Sequence, residues 1–194
     1  MLILASQSPR RKALLEANGF AFKVVPSNVI EEENQSMSPT QYVRHLAKLK
    51  AEDVFQRYPH DLILAADTIV VYGQEILGKP KDDDDAFRML KKLSGQRHYV
   101  YTAVCIKDEK QEASWLSYAE VVFKSVEDQD LWTYVQTKEP MDKAGAYAIQ
   151  GLGSFLVQSY YGNYHSIVGL PILEVVERLK TFNRRHFIKE AASI

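Results

Sequence analysis

The sequence predicts a single α/β domain in which a mixed, twisted sheet is flanked by helices, with two lobes around a central cleft. Three observations favour this fold class. Segments typical of strands and helices alternate in the first part of the chain, and several strand-like segments follow one another later. The chain also has 194 residues, a length that fits one domain with a marked cleft.

The first elements are a strand, a helix and a second strand. Residues 2–5 form a short apolar run, which indicates a buried strand. Ser8 is a typical N-cap and Pro9 suits the first helical position, so a helix is predicted to begin here and to end at Gly19. Residues 22–25 are the next strand candidate.

A second helix and a central strand follow. The stretch from Ser38 to Gln41 contains an N-cap, a proline and the glutamine of a capping box, and the helix is predicted to reach about residue 57. Residues 62–66 are wholly apolar, which is typical of a strand covered on both faces. Asp67 is predicted to stand at the end of that strand.

The remaining elements are predicted from shorter patterns. In order, they are a hairpin (69–72 and 76–77), a helix (82–92), strands (99–106 and 117–123), a short helix (127–135), strands (146–149, 155–158 and 166–168) and a last helix from Pro171. Leu173, Val176 and Leu179 are expected on the buried side of the last helix. The domain is expected to span residues 1–194, with a frayed tail at 183–194.

Composition and charge exclude several classes of protein. The formal net charge is −1, so no overall basic field would draw the chain to nucleic acid or to an anionic membrane. Cys105 is the one cysteine, which excludes an internal disulfide and is expected to be buried and unreactive. No apolar run approaches the roughly 20 residues of a membrane-spanning helix, and the start lacks the pattern of a signal peptide. A cytoplasmic location is therefore expected.

The join between the first strand and the first helix is a candidate phosphate site. Ser6, Arg10 and Arg11 surround a helix start, where backbone N–H groups can bind an anion. Arginines in a first turn oppose the helix dipole by about 0.3–1 kcal/mol each when exposed, a cost that a bound anion would offset. Two solvated arginines explain this segment equally well.

Carboxylates supply the second candidate site. Asp67, after a buried strand, would point toward the usual ligand crevice of an α/β sheet, where it could bind a divalent cation or activate water. The acids at 31–33 are in themselves typical of a solvated loop, but one of them could complete a Mg²⁺ or Mn²⁺ site with Asp67. Lys50 and Lys79 could each neutralise a phosphate, although surface charge is the simpler explanation for either one alone.

Other catalytic patterns are absent from the sequence. The five histidines lack metal-ligand spacing, and no P-loop, nucleophile elbow or dinucleotide-binding loop occurs. Tyr160, Tyr161 and Tyr164 are interpreted as strand surface and turn packing rather than as a base-stacking platform.

An ordered set of motifs resembles the Maf family of nucleotide pyrophosphatases. The motifs are LASQSPRR (4–11), ADTIV (66–70), GKP (78–80), LSGQ (93–96), EPMDKAGAY (139–147), IQG (149–151) and VGLP (168–171). Each motif alone would be weak evidence. Together they extend from residue 2 to about residue 180, so the resemblance covers nearly the whole chain.

The resemblance implies a fold like that of inosine triphosphate pyrophosphatases, cleavage between the α- and β-phosphorus atoms by metal-activated water, and a homodimer. It implies that Asp67 is the catalytic aspartate and that Asp67 and Glu31 hold the metal. Ile30 stands where the family often has an acid, so Glu32 is the alternative to Glu31. The phosphate-binding positions implied by the resemblance are Ser6, Arg10, Arg11, Lys50 and Lys79.

Three positions are similar to the branch of the family that acts on dTTP and UTP. Arg10 follows Ser-Pro, Thr68 follows the aspartate, and Gln150 precedes a late glycine; the resemblance assigns substrate specificity to all three. The branch that acts on 7-methylated guanine nucleotides carries Trp after Ser-Pro, which this chain lacks. The sequence therefore predicts hydrolysis of dTTP and UTP, or of modified pyrimidine nucleotides, to the monophosphate and pyrophosphate.

Two alternatives stay open. The same chemistry could act on another nucleotide, such as 7-methyl-GTP. The chain could instead be a nucleotide-binding regulator of septum formation and cell division, because the family name is associated with inhibition of the septum. In either case the expected partners are a nucleoside triphosphate and a second copy of the chain, with no nucleic acid and no membrane.

Overall fold

A computed structural model describes residues 1–31 and 36–182. The fold is α/β, as the sequence predicts, with a mixed seven-stranded sheet flanked by helices. The strands are β1 (Leu2–Leu4), β2 (Phe22–Val24), β3 (Leu62–Tyr72), β4 (Glu75–Leu77), β5 (Arg97–Lys107), β6 (Glu112–Phe123) and β7 (Val157–Gly162). The α-helices are α1 (Pro9–Ala17), α2 (Pro39–Arg57), α3 (Asp83–Leu93), α4 (Asp128–Gln136), α5 (Tyr164–Val168) and α6 (Ile172–Leu179). Short 3₁₀ helices cover Glu139–Asp142, Ala144–Ala146 and Gly151–Leu156.

The sheet contains both parallel and antiparallel pairs. Its strand order is β2-β1-β3-β5-β6-β7, and β4 pairs with β3 beside this path. β1 is parallel to both β2 and β3, with Leu2 opposite Phe22 and Leu62, whereas β4 is antiparallel to β3 and β7 to β6. Parallel strands covered on both faces are apolar along their length, which explains the runs at 2–5 and 62–66.

The described chain divides into two compact units. The first contains the described residues up to Asp67, Thr102–Ser117 and the described residues from Gly169 on. The second contains Thr68–Tyr101 and Tyr118–Val168. β3, β5 and β6 each contribute residues to both units.

The core of the first unit lies around β1 and β3. Leu2 and Leu4 of β1 and Leu64 of β3 are fully buried, and Leu15 is the buried residue of α1. Burial of each such side chain stabilises the fold by about 1.5–3 kcal/mol. The same core includes Leu62, Ala66, Val104, Ile106, Trp115, Leu170, Ile172, Val175, Leu179 and Phe182. The loop after β1 is therefore anchored at its strand end.

The second unit has a core of its own. Val70 and Leu77, which face each other across the β3–β4 hairpin, share it with Leu90 of α3 and Leu131 of α4. Ala146 and Leu156, from two of the 3₁₀ helices, belong to the same core. Packing therefore fixes the irregular chain between α4 and β7 at both of these positions.

Three of the predicted strands are wrong or misplaced. Residue 146 ends the 3₁₀ helix Ala144–Ala146, residues 147–149 follow it without forming a strand, and β7 begins only at Val157 rather than at residue 155. Residues 166–168 belong to α5, which starts where the Asn163 side chain accepts a hydrogen bond from the His165 amide at 3.0 Å. Short apolar runs do not distinguish a strand from a turn of helix, which explains these errors.

The buried side of the last helix also differs from the prediction. α6 buries Ile172, Val175 and Leu179, whereas Leu173 is 67% exposed. Pro171 is the N-cap residue rather than the first helical one. The predicted tail at 183–194 lies outside the described residues. No helix in the described part of the chain is long and apolar enough to cross a membrane.

Candidate active site

The turn between β1 and α1 forms as the sequence predicts. Ser8 caps the helix, because its Oγ accepts a hydrogen bond from the Arg11 amide at 3.4 Å, and Pro9 opens the first turn. Ser6 Oγ accepts a hydrogen bond from the Ser8 amide at 3.2 Å. The serine side chains therefore hold the chain in the shape that starts the helix. Pro9 has no N–H and the amides of Arg11 and Lys12 bond Ser8, which leaves the Arg10 amide without a partner among the described residues.

Arg11 is bound by the protein itself. Its Nε donates to the backbone oxygen of Gly169 at 2.8 Å, and its Nη1 donates to Ser6 Oγ at 3.0 Å. Burial lowers the pKa of the Arg11 guanidinium, and this effect exceeds the opposing influence of Asp67. The side chain thus links the loop after β1 to the loop before α6 and carries a positive charge into the interior.

Unlike the side chain of Arg11, the side chain of Arg10 is not bound by the protein in the described stretches. The side chain is half-buried, and it forms no hydrogen bond or ion pair with any other residue in the two described stretches. Two guanidinium groups on consecutive residues repel each other, and Arg10 contributes to the lowered pKa of Arg11. An anion at the start of α1 would relieve that repulsion.

Lys50 joins two of the predicted acids. It lies on α2, whose start is fixed by a capping box in which Ser38 and Gln41 bond each other's backbone amides. Its ammonium binds the carboxylate of Asp67 and lies 2.7 Å from Oε1 of Glu31. The Lys50 and Asp67 side chains are nearly buried, whereas the Glu31 side chain is 53% exposed.

Asp67 lies inside β3 rather than at the end of a strand, so that part of the prediction is wrong. The residue is only 6% exposed. Burial raises the pKa of its carboxyl, and the nearby charges of Lys50 and Arg11 oppose this rise without cancelling it. A carboxylate with a raised pKa is a better proton acceptor than an ordinary aspartate, which suits a general base.

The acids of this cluster fit a hard divalent cation. In the described stretches no group of three or more His, Cys, Asp and Glu side chains is arranged to hold a metal. Glu31 and Asp67, however, reach the same ammonium group, so their oxygens could also reach one cation. Mg²⁺ is commonly bound by one or two carboxylates, with water and substrate oxygens as its other ligands. Glu32, the alternative acid, lies outside the described residues.

The structure therefore brings together most of the predicted residues of the first unit. Ser6 and Arg11 are bonded directly, Lys50 joins Glu31 to Asp67, and the charge of Arg11 is close enough to lower the pKa of Asp67.

The remaining predicted residues belong to the second unit. Thr68 follows Asp67 in β3 and is half-buried, whereas Lys79, after β4, is exposed. Gln150 is exposed at the N-cap position of the 3₁₀ helix Gly151–Leu156.

Gly169 takes part in this arrangement although the sequence did not predict it. The backbone oxygen of Gly169 fixes Arg11, and sequence reasoning assigned it no role. A backbone contact leaves no signature in side-chain chemistry, and the only signal was the presence of this glycine in a motif. Cys105 is fully buried, as the sequence predicts, and burial raises the pKa of its thiol to about 12, which disfavours the reactive thiolate.

The chain is similar to known proteins over most of its length. The family model described as "Maf-like protein" matches residues 1–182. A protein of Acholeplasma laidlawii (strain PG-8A) named dTTP/UTP pyrophosphatase is 48% identical over 184 residues, covering 94% of this chain and 97% of the relative. A protein of Caldicellulosiruptor bescii with the same name is 48% identical over 177 residues, covering 88% and 89%. The solved structure of protein VC0702 from Vibrio cholerae is 11% identical, with a TM-score of 0.42, over 92% of this chain and 96% of its own.

Proposed function

Because this chain belongs to the family of Maf-like proteins, we propose that it hydrolyses dTTP and UTP to the nucleoside monophosphate and pyrophosphate. Modified pyrimidine triphosphates are included among the proposed substrates. The observation that carries the proposal is the buried Asp67 carboxylate, bound by Lys50 and close to Arg11, in a chain 48% identical to two dTTP/UTP pyrophosphatases. A buried base beside cations suits the attack of water on a phosphate.

In the proposed reaction, Asp67 accepts a proton from the water that attacks the α-phosphorus. The water oxygen forms a bond to that phosphorus, and the bond to the oxygen bridging the α- and β-phosphorus atoms breaks. Pyrophosphate leaves with the electron pair of the broken bond. The chain is thus proposed to be a nucleotide diphosphatase that acts on the α–β phosphoanhydride.

Cationic groups hold the phosphates in this proposal. Arg10, whose side chain has no bonded partner among the described residues, binds phosphate oxygens directly through its guanidinium and its backbone amide. Ser6 and Arg11 keep that loop in place and add positive charge, and Lys50 adds a second charge beside Asp67. Lys79 is proposed as a further phosphate ligand on the strength of the family resemblance.

The proposal includes a divalent cation, Mg²⁺ or Mn²⁺, which Glu31 and Asp67 would hold. The convergence of their oxygens on one ammonium group supports this choice. When bound, such an ion polarises phosphate oxygens and lowers the pKa of bound water. Arg10, Thr68 and Gln150 are proposed to select the base, because the resemblance to the dTTP/UTP branch assigns specificity to these positions.

Product analysis tests the proposal. The pure protein is incubated with dTTP, UTP, CTP and 7-methyl-GTP, with and without Mg²⁺, and the products are separated. We expect metal-dependent formation of dTMP or UMP together with pyrophosphate. Orthophosphate and a diphosphate would contradict α–β cleavage, and preferential turnover of 7-methyl-GTP would support the other substrate class.

Product analysis, together with a thermal unfolding measurement, also tests the alternative that the chain is a nucleotide-binding regulator. A regulator that binds nucleotide without cutting it would be protected from thermal unfolding by dTTP and would release no product.

The proposal also includes a homodimer and a cytoplasmic location. Light scattering of the pure protein and fractionation of cells that produce it test these two statements.

A further inference from the structure

The segment that carries Gln150 is held on both sides by two residues of the same unit. On one side, the Ala148 amide donates to the hydroxyl oxygen of Tyr134 at 3.3 Å. On the other side, the amides of Leu152 and Gly153 donate to the carboxylate of Glu139 at 3.2 and 2.9 Å. The anchored amides thus lie two residues before Gln150 and two and three residues after it.

The two anchoring residues lie close together along the chain. Tyr134 is buried on α4, and Glu139 begins the 3₁₀ helix that follows α4. The Glu139 carboxylate accepts from two backbone amides, and charge-assisted bonds of this kind are stronger than those between neutral groups.

The Tyr134 and Glu139 side chains lie very close to the backbone of the segment that carries Gln150. A Cβ atom on Gly151, whose φ is +81°, would lie 2.4 Å from Oε1 of Glu139. A Cβ atom on Gly153 would lie 2.4 Å from the Tyr134 hydroxyl oxygen and 2.7 Å from the backbone oxygen of Ala148. Only glycine fits at both positions, so the sequence of the segment is adapted to the two side chains that hold it.

We propose that Tyr134 and Glu139 are positioning residues for base selection: Tyr134 fixes the backbone before Gln150 and Glu139 fixes the backbone after it, so that together they hold the Gln150 side chain where it meets the base. The exposed Gln150 side chain would otherwise sit on an irregular loop with nothing to fix its direction. This inference rests on the proposed function, because it assumes that Gln150 contacts the base.

The test compares dTTP with dCTP, two pyrimidine nucleotides whose bases differ in the group at C4, in the proton on N3 and in the 5-methyl group. Glu139→Gln keeps the shape of the side chain but turns one acceptor into a donor, so it cannot accept both amide bonds in the same way. We expect the ratio of kcat/KM for dTTP over dCTP to fall at least about tenfold, the scale on which small misplacements act. Tyr134→Phe, which removes the acceptor of the Ala148 amide, is expected to lower the same ratio less.

Glu127→Gln is the matched control. It removes the same charge from the same unit, at a side chain that makes no capping hydrogen bond at the start of α4, and the ratio is expected not to change. A loss of kcat that is equal for both nucleotides in Glu139→Gln would indicate a merely structural role and would overturn the inference.

A double variant separates positioning from direct contact. If Glu139 acts through Gln150, then Glu139→Gln added to Gln150→Ala lowers the ratio no further than Gln150→Ala does alone. A further drop in the double variant, or an unchanged ratio in Gln150→Ala, would overturn the inference.

Hydrogen exchange gives a readout that needs no turnover. The amides of Leu152 and Gly153 are expected to exchange faster in Glu139→Gln than in the wild type, and equal rates would overturn the inference. A wild-type protein that hydrolyses no nucleotide is a different result, because it overturns the proposed function and with it the assignment of base selection.

Discussion

Lys50 and Asp67 form an ion pair that is almost completely shielded from water. Their side chains are 12% and 9% exposed, and the ammonium binds a carboxylate whose pKa is already raised by burial. Lys50 therefore sets the electrostatic environment of the proposed base, because its charge limits how far burial raises the pKa of Asp67.

Removal of the Lys50 charge should move the pH dependence of turnover. Lys50 lowers the pKa of Asp67, so Lys50→Met is expected to raise that pKa and to shift the acidic limb of the kcat/KM profile toward higher pH. Lys48→Met is the matched control, because Lys48 lies on the same helix but pairs with Glu112 at the surface. An acidic limb at the same pH in all three proteins would contradict the assignment of this limb to Asp67.

Asp67→Asn should abolish most of the activity while the protein still folds. Asparagine keeps the shape of the side chain but cannot accept the proton of the attacking water, and loss of a general base typically costs about 10²–10⁴-fold in rate. Product formation with dTTP measures the loss, and circular dichroism shows that the fold is kept. Turnover at the wild-type rate would remove Asp67 from the mechanism.

The two adjacent arginines should respond differently to the same substitution. Arg11→Lys loses the fork that joins Ser6 to Gly169, and we expect a loss of about 1–3 kcal/mol in the free energy of unfolding. Arg10→Lys should change stability by less than about 0.5 kcal/mol, yet it should raise KM for dTTP. Urea unfolding and steady-state kinetics on both variants check this. Equal stability of the two variants would contradict the structural role of Arg11.

His98 should make the protein less stable in acid. It is fully buried and bonded through Nε2 to the Tyr147 hydroxyl at 2.8 Å, and burial lowers its pKa to about 4. As the pH falls from 6.5 toward 4, the unfolded chain takes up a proton that the folded protein does not, so stability is lost. The change from 6.5 to about 4 corresponds to about 3 kcal/mol.

His98→Gln keeps a side chain that can bond Tyr147 and does not titrate. The free energy of unfolding of this variant, relative to wild type, should therefore rise by up to about 3 kcal/mol between pH 7 and pH 4. His60→Gln, at a side chain that is 89% exposed, should show no such change. Parallel pH dependences of wild type and His98→Gln would show that His98 titrates normally.

Strong local signals made the first half of the fold predictable. Ser8-Pro9 and the capping box at Ser38 identify helix starts because they satisfy backbone amides that the helix leaves unpaired. The apolar run at 62–66 identifies a central strand because both of its faces are covered. In the second half, α5 depends on the side chain of Asn163 and not on hydrophobic periodicity, so the pattern at 166–168 was misleading.

The candidate site was predictable in its chemistry but not in its connections. Residue type and position singled out Asp67 and Arg11, because charges beside a buried strand and at a helix start need a reason, whereas Lys50 became a favoured candidate only through the resemblance to the Maf family. The sequence could not show that Lys50 joins Glu31 to Asp67, since these residues are far apart along the chain. The anchoring of the Gln150 segment by Glu139 was hidden for the same reason, as its bonds run to backbone amides.

The ammonium of Lys50 also acts as a built-in counter-ion for Glu31 and Asp67. Two acids gathered to receive a divalent ion would repel each other in its absence, and many small metalloproteins fold only after the metal arrives. Here a side chain of the protein balances the charge from the start. We therefore expect a chelator to stop product formation while the melting temperature hardly changes. In a cell that lacks the metal, the chain would therefore still fold, and it would become active once the metal is supplied.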